Sequence, residues 1–198
     1  VVKSFARRNP NLVFLRRPHR GKGAAVRVGM LIAEGTIVGF SDADLATPLR
    51  FLRPMCTFLE EGYDIAIASR ALPASKSTST QSTMRKMLGY GFGWFVKRIL
   101  IANIYDTQCG LKLFRGDCAR SLFRHLSSPG PLFDMELLVL AARKGFGVIE
   151  VPVEWRHHPE TRLAYTPLSS LKLLADLWRI RQKYGILHPV YVRKLPRR

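Results

Sequence analysis

Short apolar runs alternate along the chain with longer segments in which apolar residues recur at helical spacing. The short runs predict strands at 12–15, 36–40, 65–69, 111–114 and 148–153. The longer segments predict helices at 24–34, 47–61, 117–126, 134–143 and 169–184. Strands and helices that alternate in this way favour an α/β fold with a mostly parallel sheet flanked by helices.

Two segments do not fit this regular alternation. Residues 71–81 are rich in Ser, Thr, Ala and Pro and lack apolar periodicity, which predicts a mobile loop. Residues 83–103 carry apolar residues at helical spacing, lysines on another face and several aromatic rings. Such a helix is typical of a membrane surface, but an ordinary helix that faces the core has the same spacing. The pattern leaves both interpretations open.

The length of the chain, 198 residues, is that of one domain with a core of its own. We assign residues 1–187 to this domain and residues 188–198 to a basic tail that we expect to be poorly ordered. The sequence opens with Val1, and its first residues have the pattern of a helix end. We therefore expect the N-terminal part of the domain, with the first strands of the sheet, to be missing.

The composition adds one strong bias, which is charge. Thirty-two Lys and Arg oppose fourteen Asp and Glu, for a formal net charge of +18. This excess suits nucleic acid, anionic lipid head groups or phosphorylated substrates, and it also suits a merely solvated basic surface. The three cysteines have no CxxC spacing, so the sequence favours neither a zinc site nor a disulfide framework. No apolar run reaches the ~20 residues of a membrane-spanning helix.

Two carboxylates stand directly after a predicted buried strand. Asp42 and Asp44 follow the strand at 36–40, and Thr47-Pro48 behind them has the pattern of a helix N-cap and first turn. Ligands of such sheets bind beyond the carboxyl ends of the strands. Carboxylate oxygens there suit Mg²⁺ or Mn²⁺ bound to a nucleotide diphosphate. The pair therefore predicts a metal and nucleotide site at this edge of the sheet.

Basic side chains occur at comparable positions. Lys22 lies between two glycines before a predicted helix, where the helix N-terminus and the lysine favour an anion. Arg70 follows the strand at 65–69, and Arg85 lies on the other side of the predicted loop. Arginine forks suit phosphate oxygens, but each of these residues also fits a solvated or salt-bridged surface position.

Further polar residues lie at the ends of predicted elements. Asp106 and Gln108 precede the strand at 111–114 and fit the lining of a cleft. Asp134 starts a predicted helix, where it is either a charge that stabilises the helix dipole or a carboxylate that faces a substrate. Arg162 belongs to a basic loop after the last strand, which we interpret as solvated or facing a phosphate.

Six segments occur together in a fixed order, namely GKGAAVRVGM, FSDADLATP, IASR, DTQCGLKLF, FDMELLVLA and EVPVEW. As a series they resemble the family 2 glycosyltransferases that act on polyprenyl phosphates. The segment DTQCGLKLF is more similar to dolichyl-phosphate β-glucosyltransferases than to the related mannose enzymes. The resemblance extends over nearly the whole chain, from about Arg20 to Tyr184.

The resemblance implies a GT-A type nucleotide-binding fold and an inverting transfer of glucose from UDP-glucose to a dolichyl or polyprenyl phosphate. It implies that Asp42 and Asp44 hold Mg²⁺ or Mn²⁺. The residues that it places in catalysis are Asp44, Arg70 and Asp134. The residues that it places in substrate binding are Lys22, Asp42, Arg85, Asp106, Gln108 and Arg162. It also implies a membrane-associated protein on the cytoplasmic face of the plasma membrane or the endoplasmic reticulum.

The sequence departs from the family pattern in places that bear on the substrate. The family's opening strand, with its base-binding Asp, is absent. Ala46 stands where mannose enzymes often carry a polar metal ligand, and Glu160-Thr161-Arg162 stands where relatives usually show Gly-Ser-Lys. A mannosyltransferase that uses GDP-mannose is the alternative within the class. A basic nucleic-acid-binding protein is the alternative outside it, but its signature motifs are absent, so we expect no nucleic acid partner.

Overall fold

Short strands and helices follow each other along most of the chain. The computed structural model describes residues 6–78, 91, 93–156 and 167–194, without the side chains of 77, 78 and 167–172. In chain order its elements are α1 (Lys22–Ile32), β1 (Ile37–Phe40), a 3-10 helix (Leu49–Phe51), α2 (Leu52–Glu60), β2 (Ile65–Ser69), β3 (Lys76–Thr78), β4 (Lys112–Arg115), α3 (Gly116–His125), α4 (Phe133–Arg143), β5 (Val148–Pro152), β6 (Glu154–Arg156) and α5 (Pro167–Lys183).

Four strands form the central sheet in the order β1–β4–β2–β5. β2 and β5 pair in parallel, whereas β4 lies antiparallel between β1 and β2. β1, β2 and β5 therefore point in one direction, and their carboxyl ends lie at the same edge of the sheet. This confirms the predicted α/β class with a mostly parallel strand direction. The sequence does not predict the reversed direction of β4, because a buried strand has the same apolar pattern in either direction.

Apolar side chains cover both faces of the sheet. Along β2, Ile65 and Ile67 belong to one hydrophobic cluster, whereas Ala66 and Ala68 belong to the other. The first cluster includes residues of α1, α3, α4 and α5, and the second includes residues of α2. Complete burial of a side chain such as Ile65 contributes about 1.5–3 kcal/mol. The continuous apolar run of β2 is therefore explained by helices on both sides.

One predicted strand is wrong. Residues 12–15 adopt no strand, and their side chains are between 40% and 71% exposed. A strand needs a neighbouring backbone to satisfy its amides and carbonyls. None of the strands that the structure describes pairs with this segment. Its apolar residues alone therefore do not make it a strand.

The predicted mobile loop at 71–81 contains regular structure in its described part. β3 pairs in parallel with β6 and forms a two-stranded sheet. The Ser75 hydroxyl donates to the Ser69 carbonyl at 2.6 Å, and the Lys76 amide donates to the Val153 carbonyl at 3.1 Å. The loop prediction is wrong for β3, because polar residues that pair through their backbone leave no apolar periodicity.

The helix predicted from residue 47 begins later and in two parts. The 3-10 helix Leu49–Phe51 comes first, and α2 follows it directly. The Thr47 hydroxyl lies 3.5 Å from the Cys109 sulfur, and neither helical segment has a side-chain capping bond at its start. The predicted Thr47 N-cap is therefore wrong, because this hydroxyl is buried and used inside the fold.

The described part of segment 83–103 divides its apolar residues between core and solvent. Residues 93–99 are helical, whereas 79–90 and 92 lie outside the described residues. Val96 and Leu100 are buried in the first cluster, so one face of the helix packs in the core. Trp94, in contrast, is 62% exposed. Within the part of the chain that the structure describes, no helix is long and apolar enough to cross a bilayer.

The residues after α5 pack on the domain as far as Lys194. Val190 forms a parallel bridge with Ile101. The Asn103 side chain donates to the Val192 carbonyl at 2.8 Å and accepts from the Val192 amide at 3.0 Å. The expectation of a poorly ordered tail is therefore wrong for these residues, because they satisfy backbone groups of a neighbouring segment.

Candidate active site

Two strand ends carry acidic and basic residues that the sequence predicts. Asp42 follows β1 and Arg70 follows β2, at the edge where both strands end. Lys22, the first residue of α1, places its Nζ atom 2.6 Å from Oδ1 of Asp42. The two side chains are 41% and 37% exposed, so their pairing adds at most about 1 kcal/mol of stability. What the pair provides is one cation and one anion, held together beside a cavity.

The open cavity has a volume of about 650 Å³. The residues that line it are Lys22, Ala25, Val26, Ser41, Asp42, Ala43 and Asp44. One wall is the first part of α1, and the other is the turn that follows β1. A lysine, two carboxylates and the start of a helix are groups that suit a diphosphate with a divalent cation.

The turn that carries the two aspartates is held by local hydrogen bonds. The Asp42 carbonyl accepts from the Leu45 amide at 3.0 Å, and Oδ1 of Asp44 accepts from the Ala46 amide at 3.1 Å. Leu45 has a φ of 50°, and a residue with a side chain in this left-handed region is strained by about 1–3 kcal/mol. The Asp42 amide also donates to the Gly110 carbonyl at 3.0 Å, which ties the strained turn to the segment before β4.

The glycines on either side of Lys22 are required by packing inside the protein. Gly21 has a φ of 103°, and a Cβ atom there would lie 2.4 Å from the Pro129 carbonyl oxygen. A Cβ atom at Gly23 would lie 2.5 Å from the Ser128 carbonyl oxygen. The close approach that the two glycines permit is thus between α1 and the loop before α4. They fix the place of the helix start and of its lysine.

Arg70 is held by Asp106. The backbone amide, Nε and Nη2 of Arg70 donate to the Asp106 carboxylate at 3.0, 2.6 and 2.9 Å. Burial opposes both charges, but this hydrogen bonding and mutual attraction raise the pKa of Arg70 and lower the pKa of Asp106 from their ordinary values. The Arg70 side chain stays 34% exposed and lies 5.4 Å from the centre of the Trp155 ring. It is a fixed cation with one side open to solvent.

The contacts of Asp106 orient Arg70. Its side chain is 6% exposed, and its Oδ1 also accepts from the Gln108 amide at 3.1 Å. Both carboxylate oxygens are thus engaged within the protein. The roles in substrate binding that the family resemblance implies for Asp106 and for the Gln108 side chain stay predictions.

A second pair of opposite charges lies deeper in the fold. Asp134, in the first turn of α4, has its Oδ1 atom 2.7 Å from Nζ of Lys112, and these side chains are 3% and 1% exposed. The same Nζ donates to the Cys109 carbonyl at 2.6 Å. Burial raises the pKa of Asp134 above its ordinary value, although the positive charges of Lys112 and Lys22 oppose the rise. The helix-dipole interpretation of Asp134 is therefore incomplete, since its main partner is a buried lysine.

The structure brings the described members of the predicted set into one region. The charge of Asp42 contributes to the pKa of both Arg70 and Asp134. Lys22 contributes to the pKa of Asp134 as well. Arg85 and Arg162 lie outside the described residues, so their roles stay predictions.

Three residues of this region are not among the site residues that the sequence predicts. Lys112 and Glu150 are charged residues inside predicted buried strands, a position that charged residues rarely occupy without a partner; that mismatch is the signal that points to them. Gly110 precedes β4, where the absence of a side chain lets the turn after β1 approach. A single glycine in a polar segment gives no such indication.

The carboxylates of Asp42 and Asp44 fit a divalent cation that is bound by the protein and the substrate together. Among the residues that the structure describes, no group of three or more His, Cys, Asp or Glu is arranged to bind a metal. Asp42 and Asp44 both line the cavity. Mg²⁺ is usually bound by one or two carboxylates, with water and phosphate oxygens as its other ligands. The two aspartates therefore fit Mg²⁺ or Mn²⁺ that arrives with a diphosphate.

An α/β sheet with such a cavity at its carboxyl edge is suited to binding a nucleotide, and comparison of the sequence with protein families gives the class. The sequence profile of glycosyl transferase family 2 matches residues 1–123. This range contains both aspartates of the turn, Lys22, Arg70 and three strands of the central sheet. The chain belongs to glycosyl transferase family 2.

The most informative relatives are dolichyl-phosphate β-glucosyltransferases. The Drosophila melanogaster protein is 39% identical over 177 residues, which are 84% of this chain and 52% of the relative. The proteins of Saccharomyces cerevisiae and Homo sapiens are each 34% identical, and the matches again cover 84% of this chain and 53% of the relative. The chain spans about half the length of the curated relatives it matches.

Solved structures agree with the fold. Two crystal structures of Mycobacterium tuberculosis glucosyl-3-phosphoglycerate synthase match with TM-scores of 0.52 and 0.53. Each match covers 91% of this chain and 60% of the synthase chain, at 19% sequence identity. At this level of identity the likeness concerns the fold alone, and it agrees with the expected GT-A type.

Proposed function

We propose that the protein to which this chain belongs transfers glucose from UDP-glucose to a dolichyl or related polyprenyl phosphate, with inversion at the sugar carbon. The observation that carries the proposal is the cavity in which Lys22, Asp42 and Asp44 come together. Arg70 follows β2, at the edge of the sheet where β1 also ends. Support comes from relatives named as dolichyl-phosphate β-glucosyltransferases, which align with 84% of this chain. Because the chain spans only half of those relatives, the activity is assigned to the whole protein.

The cavity suits the diphosphate of the donor. Lys22, the first residue of α1, supplies positive charge from one side of the cavity. Asp42 and Asp44 would hold Mg²⁺ or Mn²⁺, which when bound neutralises charge on the leaving diphosphate. Asp42 and Lys22 pair at an exposed position, with side chains 37% and 41% exposed, so both charges are accessible to the donor.

Arg70 is suited to the phosphate groups of donor or acceptor. Asp106 holds its Nε and Nη2 atoms, so the direction of the guanidinium is set before any ligand arrives. A hydrogen-bond donor such as this guanidinium, once it is already oriented, stabilises developing negative charge without reorganisation during the reaction. The ordering of Arg70 by Asp106 is therefore part of the proposed mechanism.

The reaction is a direct displacement at C1 of the sugar. An oxygen of the acceptor phosphate forms a bond to C1 while the bond from C1 to the UDP oxygen breaks, and the bonding electron pair leaves with UDP. A phosphate monoester has its second pKa at about 6, so the acceptor is ionised near neutral pH and needs no strong base. Catalysis then depends on alignment and charge. Asp134 is assigned to the sugar and acceptor side, and its Oδ1 atom lies 2.7 Å from Nζ of Lys112.

A lipid acceptor requires a site close to a membrane, and the surface offers suitable groups. The exposed ring of Trp94 lies 5.5 Å from the Arg98 guanidinium, and the Tyr105 ring lies 4.3 Å from Nζ of Lys97. Aromatic rings beside basic groups are typical of membrane interfaces, and each basic residue near an anionic surface adds about 1 kcal/mol of attraction. These groups support a position at a membrane surface, and we propose that the protein acts on the cytoplasmic face. Binding to vesicles with phosphatidylserine, and not to neutral vesicles, is the expected result of a sedimentation test.

The decisive experiment measures transfer of labelled glucose from UDP-glucose to dolichyl phosphate in detergent, with the full-length protein. Label in the lipid phase that requires Mg²⁺ or Mn²⁺ is the expected result, and Asp44→Asn should nearly abolish it. Asp117→Asn removes an exposed carboxylate at the start of α3, with a side chain 68% exposed, and should leave transfer unchanged. Label only from GDP-mannose would overturn the sugar assignment, and unchanged turnover in Asp44→Asn would overturn the metal role.

A further inference from the structure

Glu150 is a carboxylate at a strand position that is otherwise apolar. Its neighbours Ile149 and Val151 contribute to one hydrophobic cluster, and Val148 contributes to the other. Because side chains alternate along a strand, Glu150 points to the same face as Val148. The Glu150 side chain is 3% exposed. A buried carboxylate is tolerated only where its oxygens are hydrogen-bonded, so its partners indicate its purpose.

These partners are two consecutive backbone amides. Oε1 of Glu150 accepts from the amides of Tyr105 and Asp106, at 3.0 Å each, and Oε2 accepts from the Tyr105 amide at 3.0 Å. Lys194 adds a positive charge at 3.5 Å from Oε2. Two adjacent amides that point at one carboxylate fix the orientation of the backbone between them.

The residue so fixed is the one that holds Arg70. Asp106 accepts the Nε bond of Arg70 at 2.6 Å and the Nη2 bond at 2.9 Å. It also accepts from the backbone amide of Arg70, at 3.0 Å, directly after β2. A change in the backbone at Asp106 therefore changes the position of the guanidinium, because two side-chain bonds and one backbone bond connect them.

We propose that Glu150 is a positioning residue for Arg70, which it orients through the backbone and carboxylate of Asp106. The role given to Arg70 rests on the proposed glucosyl transfer, whereas the connection from Glu150 to Arg70 does not. A carboxylate on β5 thus sets the direction of a cation that follows β2, the strand beside it in the sheet.

The test compares Glu150→Gln with Glu154→Gln in the full-length protein. Glutamine at 150 keeps one acceptor but turns an NH₂ group toward an amide that needs an acceptor. Glu154 lies on β6, where its partner is the exposed side chain of Arg50, and its replacement is the matched control. The first measurement is the NMR signal of the Nε–H group of Arg70, assigned by its loss in Arg70→Lys. We expect Glu150→Gln to shift or broaden this signal and Glu154→Gln to leave it in place.

The second measurement is the affinity for UDP together with the KM and kcat for UDP-glucose. Loss of a hydrogen-bond partner behind a metal ligand commonly costs about tenfold to a hundredfold in affinity or activity. By the same reasoning we expect the dissociation constant of UDP and the KM for UDP-glucose to rise about tenfold. In the Arg70→Lys background the same change at Glu150 should have little further effect, because residues that act through one another are not additive. Glu150→Asp, which keeps the charge, replaces Glu150→Gln in each comparison if the latter does not fold.

The outcomes separate this role from simple support of the fold. A lower thermal midpoint with an unmoved Arg70 signal would overturn the positioning role, as would an equal loss of UDP affinity in the wild-type and Arg70→Lys backgrounds. The NMR comparison needs no substrate. If the wild-type protein transfers no glucose but the Arg70 signal responds to Glu150→Gln, the proposed function fails and the positioning role stands.

Discussion

The α-carbon of Gly110 lies directly against the carboxylate of Asp42. A Cβ atom at residue 110 would come 2.1 Å from Oδ2 and 2.3 Å from Cγ of Asp42. The two residues are also joined through their backbones, because the Asp42 amide donates to the Gly110 carbonyl at 3.0 Å. The Asp42 side chain can therefore keep its place beside Lys22 only while residue 110 lacks a side chain.

Gly110→Ala is accordingly expected to displace Asp42 and to lower kcat/KM for the donor by about a hundredfold, since a misplacement of about 1 Å can have that effect. Gly29→Ala is the matched control. Gly29 lies within α1 with nothing near its added methyl group, so this change should raise stability by about 0.5–1 kcal/mol and leave activity intact. Steady-state kinetics and thermal unfolding check both; normal kinetics in Gly110→Ala would contradict the close packing.

The pair of Lys112 and Asp134 gives a prediction about stability. Lys112→Met leaves the Asp134 carboxylate buried without its main partner, and such a loss lowers the free energy of unfolding by about 3–5 kcal/mol. The loss should be smaller at low pH, because protonation removes the uncompensated charge. Replacing both residues, in Lys112→Met with Asp134→Leu, should recover most of the stability but not the activity. Urea unfolding of the single and the double variant is the measurement. Equal free energies of unfolding in these two variants would contradict a coupled pair.

The parts of the structure that the sequence predicts are those set by local pattern. The strand predicted at 65–69 is β2 with the same bounds, because every position of it is buried and Gly62 ends the helix before it. The turn with Asp42 and Asp44 follows β1 directly, as predicted. The carboxyl ends of β2 and β5 lie at the same edge because these strands run in the same direction as β1. These features depend on neighbours in sequence or on a general rule of architecture.

What the sequence does not predict depends on partners far along the chain. The glycines around Lys22 suggest room for an anion, but their close neighbours are carbonyls of Ser128 and Pro129. The charge of Lys112 in a buried strand is explained only by Asp134, whose position beside it the sequence does not indicate. A charge inside a buried strand indicates that a partner exists, but the sequence does not say which residue that partner is.

Glu136 gives a prediction about pH. Its side chain is fully buried and accepts from Lys183, Tyr184 and the Ser128 amide at 2.8, 2.6 and 2.6 Å. Burial opposes ionisation, but hydrogen bonds led by that of Lys183 lower the pKa of Glu136 from 4.5 to about 2. Because the pKa of Glu136 is lower in the folded than in the unfolded protein, its carboxylate stabilises the folded state fully above pH 4.5. This contribution is lost as the pH falls toward 2.

The size of this contribution is about 3 kcal/mol, at about 1.4 kcal/mol for each pKa unit. Urea unfolding of the wild type and of Glu136→Gln should therefore differ by a constant free energy above about pH 5, and the difference should shrink between pH 4.5 and 2. Glu154→Gln, which changes an exposed carboxylate, should follow the wild-type profile. A difference that does not vary with pH would mean that Glu136 acts only through packing.

Arg70→Lys tests whether a positive charge after β2 is sufficient or whether its fixed direction is required. Lysine keeps the charge but cannot make the paired Nε and Nη2 bonds to Asp106. We expect kcat/KM for UDP-glucose to fall by about a hundredfold, at the lower end of the effect of losing one oriented hydrogen-bond donor, because the positive charge itself remains. Arg50→Lys, at an exposed pair with Glu154, should change neither activity nor stability. If Arg70→Lys retains full activity, the charge alone suffices, and the hydrogen bonds that Arg70 donates to Asp106 serve only the fold.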